Sequence, residues 1–326
     1  MRVLVTGGSG TFGRAYIRRL LTTLPIEAVV SYSRDEVKAA SLVEEFGHHA
    51  PFKAFLGDVR DRSRLELAMR GVDVVVHAAA LKRIDVGAYS PSEVIETNIG
   101  GTMNVVNAAI ASSVKSVVVI SSDKAVAPTN LYGATKYCGE TYAVQANAYG
   151  YPSGTKISCV RYGNIIGSRG SVFHKWRRQF KAGIPLTLTS AKMTRFVMTI
   201  EQATDLVEFA RTRAVGGEVF VPLLPAATMF DLAQAIAGRE YPIRVEEVLR
   251  PGGEKFAESL LNEEEILRTF RACSHLAVLP THRSWSTDPY PWVGLHGREN
   301  LRSDAPPSWV GVEDLREMIA ATEACL

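Results

Sequence analysis

Cysteine is scarce in this chain. Cys138, Cys159, Cys273 and Cys325 are the only four in 326 residues, and no two of them make a C-x-x-C pair. That excludes a disulfide scaffold and leaves no zinc-ligand spacing, so reduced thiols, a cytoplasmic setting and no metal centre are expected. An excess of one charge is lacking too. The chain has 37 Lys and Arg against 34 Asp and Glu, a net +3, which argues against nucleic acid or another polyanion as the main ligand. No apolar run is long enough to span a bilayer, and with the first strand opening at Val3 no signal peptide and no membrane partner are expected. Internal repeats and low-complexity stretches are absent. What remains, 46% apolar and 22% charged residues, is ordinary for a soluble globular protein. At 326 residues the chain calls for two domains or one elaborated α/β unit.

The N-terminal stretch is the first positive signal. Arg2 to Thr6 reads as a buried strand, and Thr6-Gly7-Gly8-Ser9-Gly10-Thr11-Phe12-Gly13 follows as T-G-x-x-G-x-x-G. Gly7 suits the tight turn, Gly10 the approach of a pyrophosphate, and Gly13 the close packing of the next helix, Arg14 to Leu21. That helix aims its amides and positive dipole end at phosphate. Thr6, Ser9, Thr11 and Phe12 are candidate cofactor contacts with these glycines. Ala28 to Ser33 is the second strand, ending in Ser33-Arg34-Asp35. Arg34 beside Ser33 suits a 2′-phosphate and so NADP over NAD; alternatively it is a surface charge at a helix entry next to Asp35 and Glu36. In Phe55 to Val59, Asp58 either accepts from the adenine amino group, with Val59 beside it, or caps a helix starting near Arg60. Val72 to His77 is the fourth strand, and Ala78, Ala79 and Ala80 are small enough to let a cofactor pass. His77 lies in an apolar run and is expected to be packed and hydrogen-bonded. Lys82 and Tyr89 follow in the loop within reach of a substrate. Asn98 falls in an expected helix from Ser92 to Ser112, as a cofactor contact or a structural residue. Four strand–helix alternations before residue 115 predict an α/β, doubly wound parallel sheet of Rossmann type.

The chemistry concentrates in Ser121 to Lys136, SSDKAVAPTNLYGATK, directly after the strand Ser116 to Ile120. Ser122 brings a hydroxyl, Asp123 and Lys124 an acid–base pair, and Tyr132 with Lys136 a Y-x-x-x-K that shares one helix face. A cation beside the phenol is expected to lower its pKa from about 10 and make Tyr132 a base for a hydroxyl. Further on, the strand Lys156 to Tyr162 leads to a second glycine-rich loop, Gly167 to Ser171. The basic, aromatic-spaced Lys175 to Lys181 reads as a helix of a second domain, since one short strip on a near-neutral chain is a poor nucleic-acid surface. A helix over Glu201 to Arg213 and a strand at Val219 to Val221 return to the first domain, and a last helix runs from Val312 to Ala321. The expected division is residues 1–165 for the dinucleotide-binding domain, revisited at about 198–222, and residues 166–326 for a smaller α/β substrate domain.

Taken together, these motifs resemble the extended short-chain dehydrogenase/reductases. More narrowly, they are similar to the soluble, inverting UDP-N-acetylglucosamine 4,6-dehydratases of polysaccharide biosynthesis that open the route to pseudaminic acid. The resemblance runs almost end to end. It is carried by TGGSGTFG from Thr6, YSRDE from Tyr32, GDVRD from Gly57, HAAALK from His77 and TNIGGT from Thr97. SSDKAVAPTNLYGATK from Ser121, RYGNIIGSRGSV from Arg161, MTRF from Met193 and RPGGEK from Arg250 continue it. The Asp-Lys pair distinguishes the group from glucose dehydratases, which carry Asp-Glu, and Tyr132 from membrane-bound relatives with Met there. Three departures stand out: Ser122 for the usual Thr, an extra Gly in RPGGEK, and Arg83 and Asp85 where the family has His and Pro.

The resemblance implies that Ser122, Asp123, Lys124, Tyr132 and Lys136 are catalytic. It implies a nucleotide-sugar site holding Lys82, Tyr89, Asn164, Ser171, Val172, Thr194, Arg195, Arg250 and Glu254, with Lys82 and Asn98 also near the cofactor. It further implies tightly bound NADP regenerated in each cycle, and a homo-oligomer, dimer or hexamer. In the implied chemistry Tyr132 takes the 4-hydroxyl proton and Lys136 holds the ribose and keeps the phenol acidic. Lys124, made neutral by burial and by Lys136, removes the carbon 5 proton, while protonated Asp123 donates to the departing 6-hydroxyl. A retaining 4,6-dehydratase, a nucleotide-sugar 4-epimerase or reductase, and a non-catalytic NADP-binding regulator stay open as alternatives.

Overall fold

The computed structural model describes residues 1–246, 253–286, 289–292 and 301–325. In chain order the strands are β1 (Arg2–Thr6), β2 (Ala28–Ser33), β3 (Phe52–Leu56), β4 (Val74–His77), β5 (Ser116–Ile120), β6 (Lys156–Val160) and β7 (Asn164–Ile165). They continue with β8 (Leu186–Leu188), β9 (Thr194–Met198), β10 (Val219–Pro222), β11 (Ala226–Thr228), β12 (Ile243–Val245), β13 (Thr269–Ala272) and β14 (His275–Val278). Among the described residues the main sheet has nine strands in the order β13-β14-β10-β6-β5-β4-β1-β2-β3. From β3 to β10 every pairing is parallel, and only the β13–β14 hairpin on the β10 edge is antiparallel. Strands such as Val3-Leu4-Val5 and Val117-Val118-Val119 are buried on both faces. That is why they read as unbroken apolar runs and not as alternation.

The strand order turns back between β1 and β4, which opens a crevice at their C-terminal ends. Gly7 stands there at φ +67°, and a Cβ on it would lie 2.8 Å from the amide nitrogen of Ala79. The first helix begins inside the glycine loop, at Thr11, and runs to Thr23, three residues earlier than the apolar pattern predicts, because the glycines hide its first turn.

Three other expectations are corrected. The helix expected from Ser92 to Ser112 is broken into Pro91–Ile95, a π-turn at Glu96–Gly100 and a helix at Gly101–Ala111; the wider turn is what carries Asn98 into the interior. Asp58 does not cap the helix after β3. That helix, Arg62–Ala68, is capped by Asp61, whose Oδ1 accepts from the Arg64 amide at 3.0 Å, while Asp58 accepts from the Arg60 amide. Finally, Thr269 to Val278 joins the main sheet, so the chain returns to the first lobe a second time, beyond the stretch 198–222.

A second, smaller core sits on the small sheets β11-β9-β7 and β12-β8. Phe173 and Trp176 of the Val172–Lys181 helix, Leu232 of the Met229–Ala237 helix and Leu315 of the Val312–Cys325 helix fill it. Within the first lobe a buried charge cluster ties the early part of the chain to the late part. Arg161, just past β6, bonds Glu140 at 3.1 Å, Glu265 at 2.7 Å and the Leu260 carbonyl at 2.9 Å. Among the described residues no helix is long and apolar enough to cross a membrane.

Candidate active site

A cavity of about 770 Å³ lies between the C-terminal ends of the parallel strands and the second lobe. It takes in Gly7, Gly10, Thr11, Phe12, Gly13, Ala78 and Ala80 of the expected cofactor contacts, and Ser122, Asp123, Lys124, Tyr132 and Lys136 of the expected catalytic residues. Lys82, Asn164, Ser171, Val172, Arg195 and Glu254 of the expected substrate contacts line it as well.

Local geometry explains how the catalytic stretch is held. After β5 the chain stays paired to the strand beside it through Ser121 N–H to Val160 O at 2.7 Å and Asp123 N–H to Tyr162 O at 3.0 Å. A 3-10 turn, Asp123–Ala125, then starts at Ser122, whose hydroxyl accepts from the Lys124 amide at 3.3 Å. Asn130 caps the Leu131–Gln145 helix by accepting from the Gly133 amide at 2.9 Å. This helix presses on the turn so closely that a Cβ at Gly133 would lie 2.2 Å from the Lys124 carbonyl oxygen.

Asp123 is buried, and its Oδ1 accepts from the Ser122 hydroxyl at 2.9 Å and from Lys124 Nζ at 3.1 Å. Asp123 Oδ2 is buried with no hydrogen-bond partner among the described residues. Lys124 Nζ also lies 3.3 Å from Glu258 Oε1, and Glu258 Oε2 is 3.4 Å from Lys255 Nζ. Glu258 escaped the sequence reading, and Lys255 entered it only as the last residue of RPGGEK, with no role. They stand more than 130 residues from Lys124 in a stretch with no periodic pattern, so nothing local ties them to it.

Two electrostatic expectations are overturned. Burial lowers the pKa of Lys124, but Asp123 and Glu258 outweigh that and hold it above the ordinary lysine value, so the side chain is an ammonium. Burial likewise lifts the Tyr132 phenol above its ordinary value. The cation that works against this is Lys124, helped by a hydrogen bond with the Ser122 hydroxyl, and not Lys136. Lys136 donates instead to the Ile120 carbonyl at 2.5 Å, and burial brings its pKa down to about 8. Lys82 is lowered by burial and then by Lys124.

Other named residues support the site from behind. Asn98 is fully engaged: its Oδ1 accepts from the Leu81 amide at 2.8 Å, and its Nδ2 donates to the Leu81 carbonyl at 2.9 Å and to Thr135 at 3.0 Å. It therefore fixes the Ala78–Leu81 loop from a position off the cavity. The Thr102 hydroxyl donates to the Asn98 carbonyl, so His77 Nε2–H donates to Thr102 and His77 Nδ1 accepts from Thr6. The Thr6 oxygen in turn accepts from the Ala79 amide. His77 is thus the packed, hydrogen-bonded histidine expected. Ser9, Ser33 and Val59 are buried off the cavity. Thr194 pairs with Ser303 at 2.8 Å behind the wall, and Tyr89 is 90% exposed and outside the cavity. Arg250 lies outside the described residues. Arg169, in the second glycine loop, reaches the first: its amide donates to Thr11 at 3.0 Å and its guanidinium to the Ser9 carbonyl at 3.1 Å.

At the far end of β2, Arg34 is 47% exposed and lies 3.5 Å from Asp58. Asp35 caps the next helix through the Lys38 amide. The bare glycine loop, with a helix N-terminus that has no acidic residue in its first turn, fits the pyrophosphate of a dinucleotide.

A doubly wound sheet, a glycine loop at its switch point and a Y-x-x-x-K beside it define a Rossmann-fold protein of the short-chain dehydrogenase/reductase type. Comparison with known proteins narrows this. The chain belongs to the polysaccharide biosynthesis protein family, whose pattern matches residues 3–278. It is 35% identical over 332 aligned positions to the UDP-N-acetylglucosamine 4,6-dehydratase (inverting) of Campylobacter jejuni subsp. jejuni serotype O:2, covering 98% of each chain. It is 38% identical to the UDP-glucose 4-epimerase of Rickettsia typhi, over 82% of this chain and 79% of that one. The X-ray structure of Pen from Bacillus thuringiensis is similar at a TM-score of 0.87 and 34% identity, covering 98% of both chains.

Proposed function

We propose that the protein dehydrates a UDP-N-acetylhexosamine, UDP-N-acetylglucosamine foremost, to the 4-keto-6-deoxy sugar nucleotide with inversion at carbon 5. The observation that carries the reading is the meeting of Asp123, Lys124 and Tyr132 in one cavity with the bare phosphate loop. The full-length likeness to a dehydratase of that name supports it. A nicotinamide dinucleotide, when bound, supplies both the oxidant and the reductant, so the reaction has no net redox change. NADP is favoured because Arg34 is exposed at the end of β2 while Asp35 is used as a helix cap. Lys136, on the Leu131–Gln145 helix and lining the same cavity, would hold the ribose.

The Asp123–Lys124 pair solves the problem set by its own charge. As an ion pair it holds its proton on Lys124, the wrong partner for these roles. One proton moved along the 3.1 Å contact from Nζ to the carboxylate makes Lys124 the base and Asp123 the acid. Neutral Lys124 then takes the proton from carbon 5. Protonated Asp123 gives its proton to the 6-hydroxyl, which leaves as water, and the pair ends as the ion pair it began as. Tyr132 accepts the 4-hydroxyl proton, with Ser122 and Lys124 stabilising the phenolate. Inversion requires that carbon 5 be reprotonated from the opposite face.

A 4-epimerase is the second reading, favoured by the Rickettsia relative; it needs Tyr132 and Lys136 but leaves Asp123 and Lys124 without work. Incubation with a panel of nucleotide sugars and no added reductant separates the two. Mass spectrometry is expected to find loss of one water, and an unchanged mass with a changed sugar configuration would overturn the dehydratase. In deuterium oxide, NMR of the fresh product should show the L-arabino 4-keto sugar with deuterium at carbon 5; a D-xylo product would leave a retaining enzyme.

A further inference from the structure

We propose that Glu258 is a positioning residue for Lys124, a fixed counter-charge that never meets the substrate and holds the Lys124 ammonium beside Asp123. The inference rests on the dehydration reading for its purpose, though not for its geometry. Two carboxylates share one ammonium, Asp123 at 3.1 Å and Glu258 at 3.3 Å. They are not equivalent. Asp123 lines the cavity. Glu258 is buried behind Lys124, off the cavity, with its side chain 2% exposed. Its backbone is clamped on both sides by Ser303, through Glu258 N–H to Ser303 Oγ at 2.9 Å and Ser303 N–H to Glu258 O at 2.9 Å. Its second oxygen pairs with Lys255, which is itself held by the Val126 carbonyl at 2.6 Å. The result is a line of alternating charge, Asp123, Lys124, Glu258 and Lys255, in which only the first carboxylate can hand a proton to a ligand.

The division of labour follows from this geometry. A carboxylate that cannot reach the substrate still favours the ammonium form of Lys124. It therefore makes Lys124 a stronger base toward a carbon acid, and it keeps a partner on the new ammonium at the moment Asp123 turns to the leaving hydroxyl. The other charged and titratable groups around Lys124 are Tyr132 from the Leu131–Gln145 helix, Arg195 from β9 and Lys82 from the loop after β4. Arg195 and Lys82 oppose the ammonium, so Asp123 and Glu258 must hold it against both.

The test is a titration. Lysine labelled with 13C at the ε-carbon gives the Lys124 resonance by NMR, assigned with the Lys124→Ala variant. In Glu258→Gln this resonance should titrate about 1 pH unit or more lower than in the wild type, the least that an opposite charge at this distance is worth. Both limbs of the pH profile of dehydration should move to acid with it. Glu258→Asp keeps the charge and should leave the limbs in place with a lower maximum. Lys255→Met should move the profile to alkali, and it decides the question if Glu258→Gln does not fold. A Lys124 titration or a profile that stays put in these variants, with only the amplitude falling, would overturn the inference and make Glu258 a packing residue. If the wild type removes water from no nucleotide sugar, the functional reading fails, and the Lys124 titration still answers for Glu258.

Discussion

Asp123 is buried, carries one oxygen free of hydrogen bonds and sits on a cavity wall, so its worth in the reaction can be measured with a change of a single atom. Asp123→Asn keeps the shape but cannot carry the proton to the leaving group. Turnover should fall by about 10²–10⁴-fold, the usual share of general acid catalysis, with substrate binding retained; a rate close to wild type would return Asp123 to a role in the turn. At the other end of the site, Arg34→Ala should weaken NADP binding by about tenfold to a hundredfold, the worth of one charge-assisted contact, and leave NAD nearly unchanged. Calorimetry with equal losses for both cofactors would remove Arg34 from the 2′-phosphate. Residues whose meaning is local were legible: Gly7, Gly10 and Gly13 declare a turn by spacing, and Tyr132 with Lys136 share a helix face by spacing. Glu258, Lys255 and the reach of Arg169 were not, because each contributes through a contact with chain far away. The charge state of Lys124 failed for the same reason, since the carboxylate that helps to settle it is Glu258.

Elements place these groups, and their ends matter more than their middles. Tyr132 stands two residues after Asn130, the cap of the Leu131–Gln145 helix. Asn130→Ala should lower stability by about 1 kcal/mol, read from the midpoint and slope of urea unfolding. It should also lower turnover further than that small loss explains, because the first helical turn carries the phenol. Unchanged stability would mean that the packing of Gly133 on the Lys124 carbonyl holds the helix start without the cap. The central strands were readable because they are buried on both faces, as Val74-Val75-Val76 shows. The π-turn at Glu96–Gly100 was not, because one extra residue in a turn leaves the apolar pattern of Pro91 to Ala111 almost intact while redirecting Asn98. Likewise β13 and β14 are four residues each, too short for alternation to announce them.

The whole molecule has a pH response built into its centre. His77 joins β1 to the Gly101–Ala111 helix through Thr6 and Thr102, and burial holds its pKa at about 3 against an ordinary 6.5. The unfolded chain therefore takes up a proton that the folded one refuses. This contribution to stability is complete above about pH 6.5 and is lost steadily as the pH falls toward about 3. Urea unfolding from pH 7 to 4 should show that decline, and a His77→Gln variant should be less stable at pH 7 with a flatter slope. Equal slopes would mean that His77 takes up its proton as readily in the fold as in the unfolded chain. The way the chain passes back and forth between the lobes has a consequence of another kind. Because β10, β13 and β14 come from the later half of the chain and complete the sheet laid down by the first, residue 165 is not a seam along which the protein can be cut. A fragment of residues 1–165 would end its sheet at β6, a bare strand edge with the Val219–Pro222 strand missing from its side, and such an edge is open to any other strand it meets. Expressed alone it should associate and precipitate, and light scattering would show this, whereas adding residues 166–326 as a separate chain should rescue it. The two lobes are one garment sewn with a single thread, and the stitches run through both.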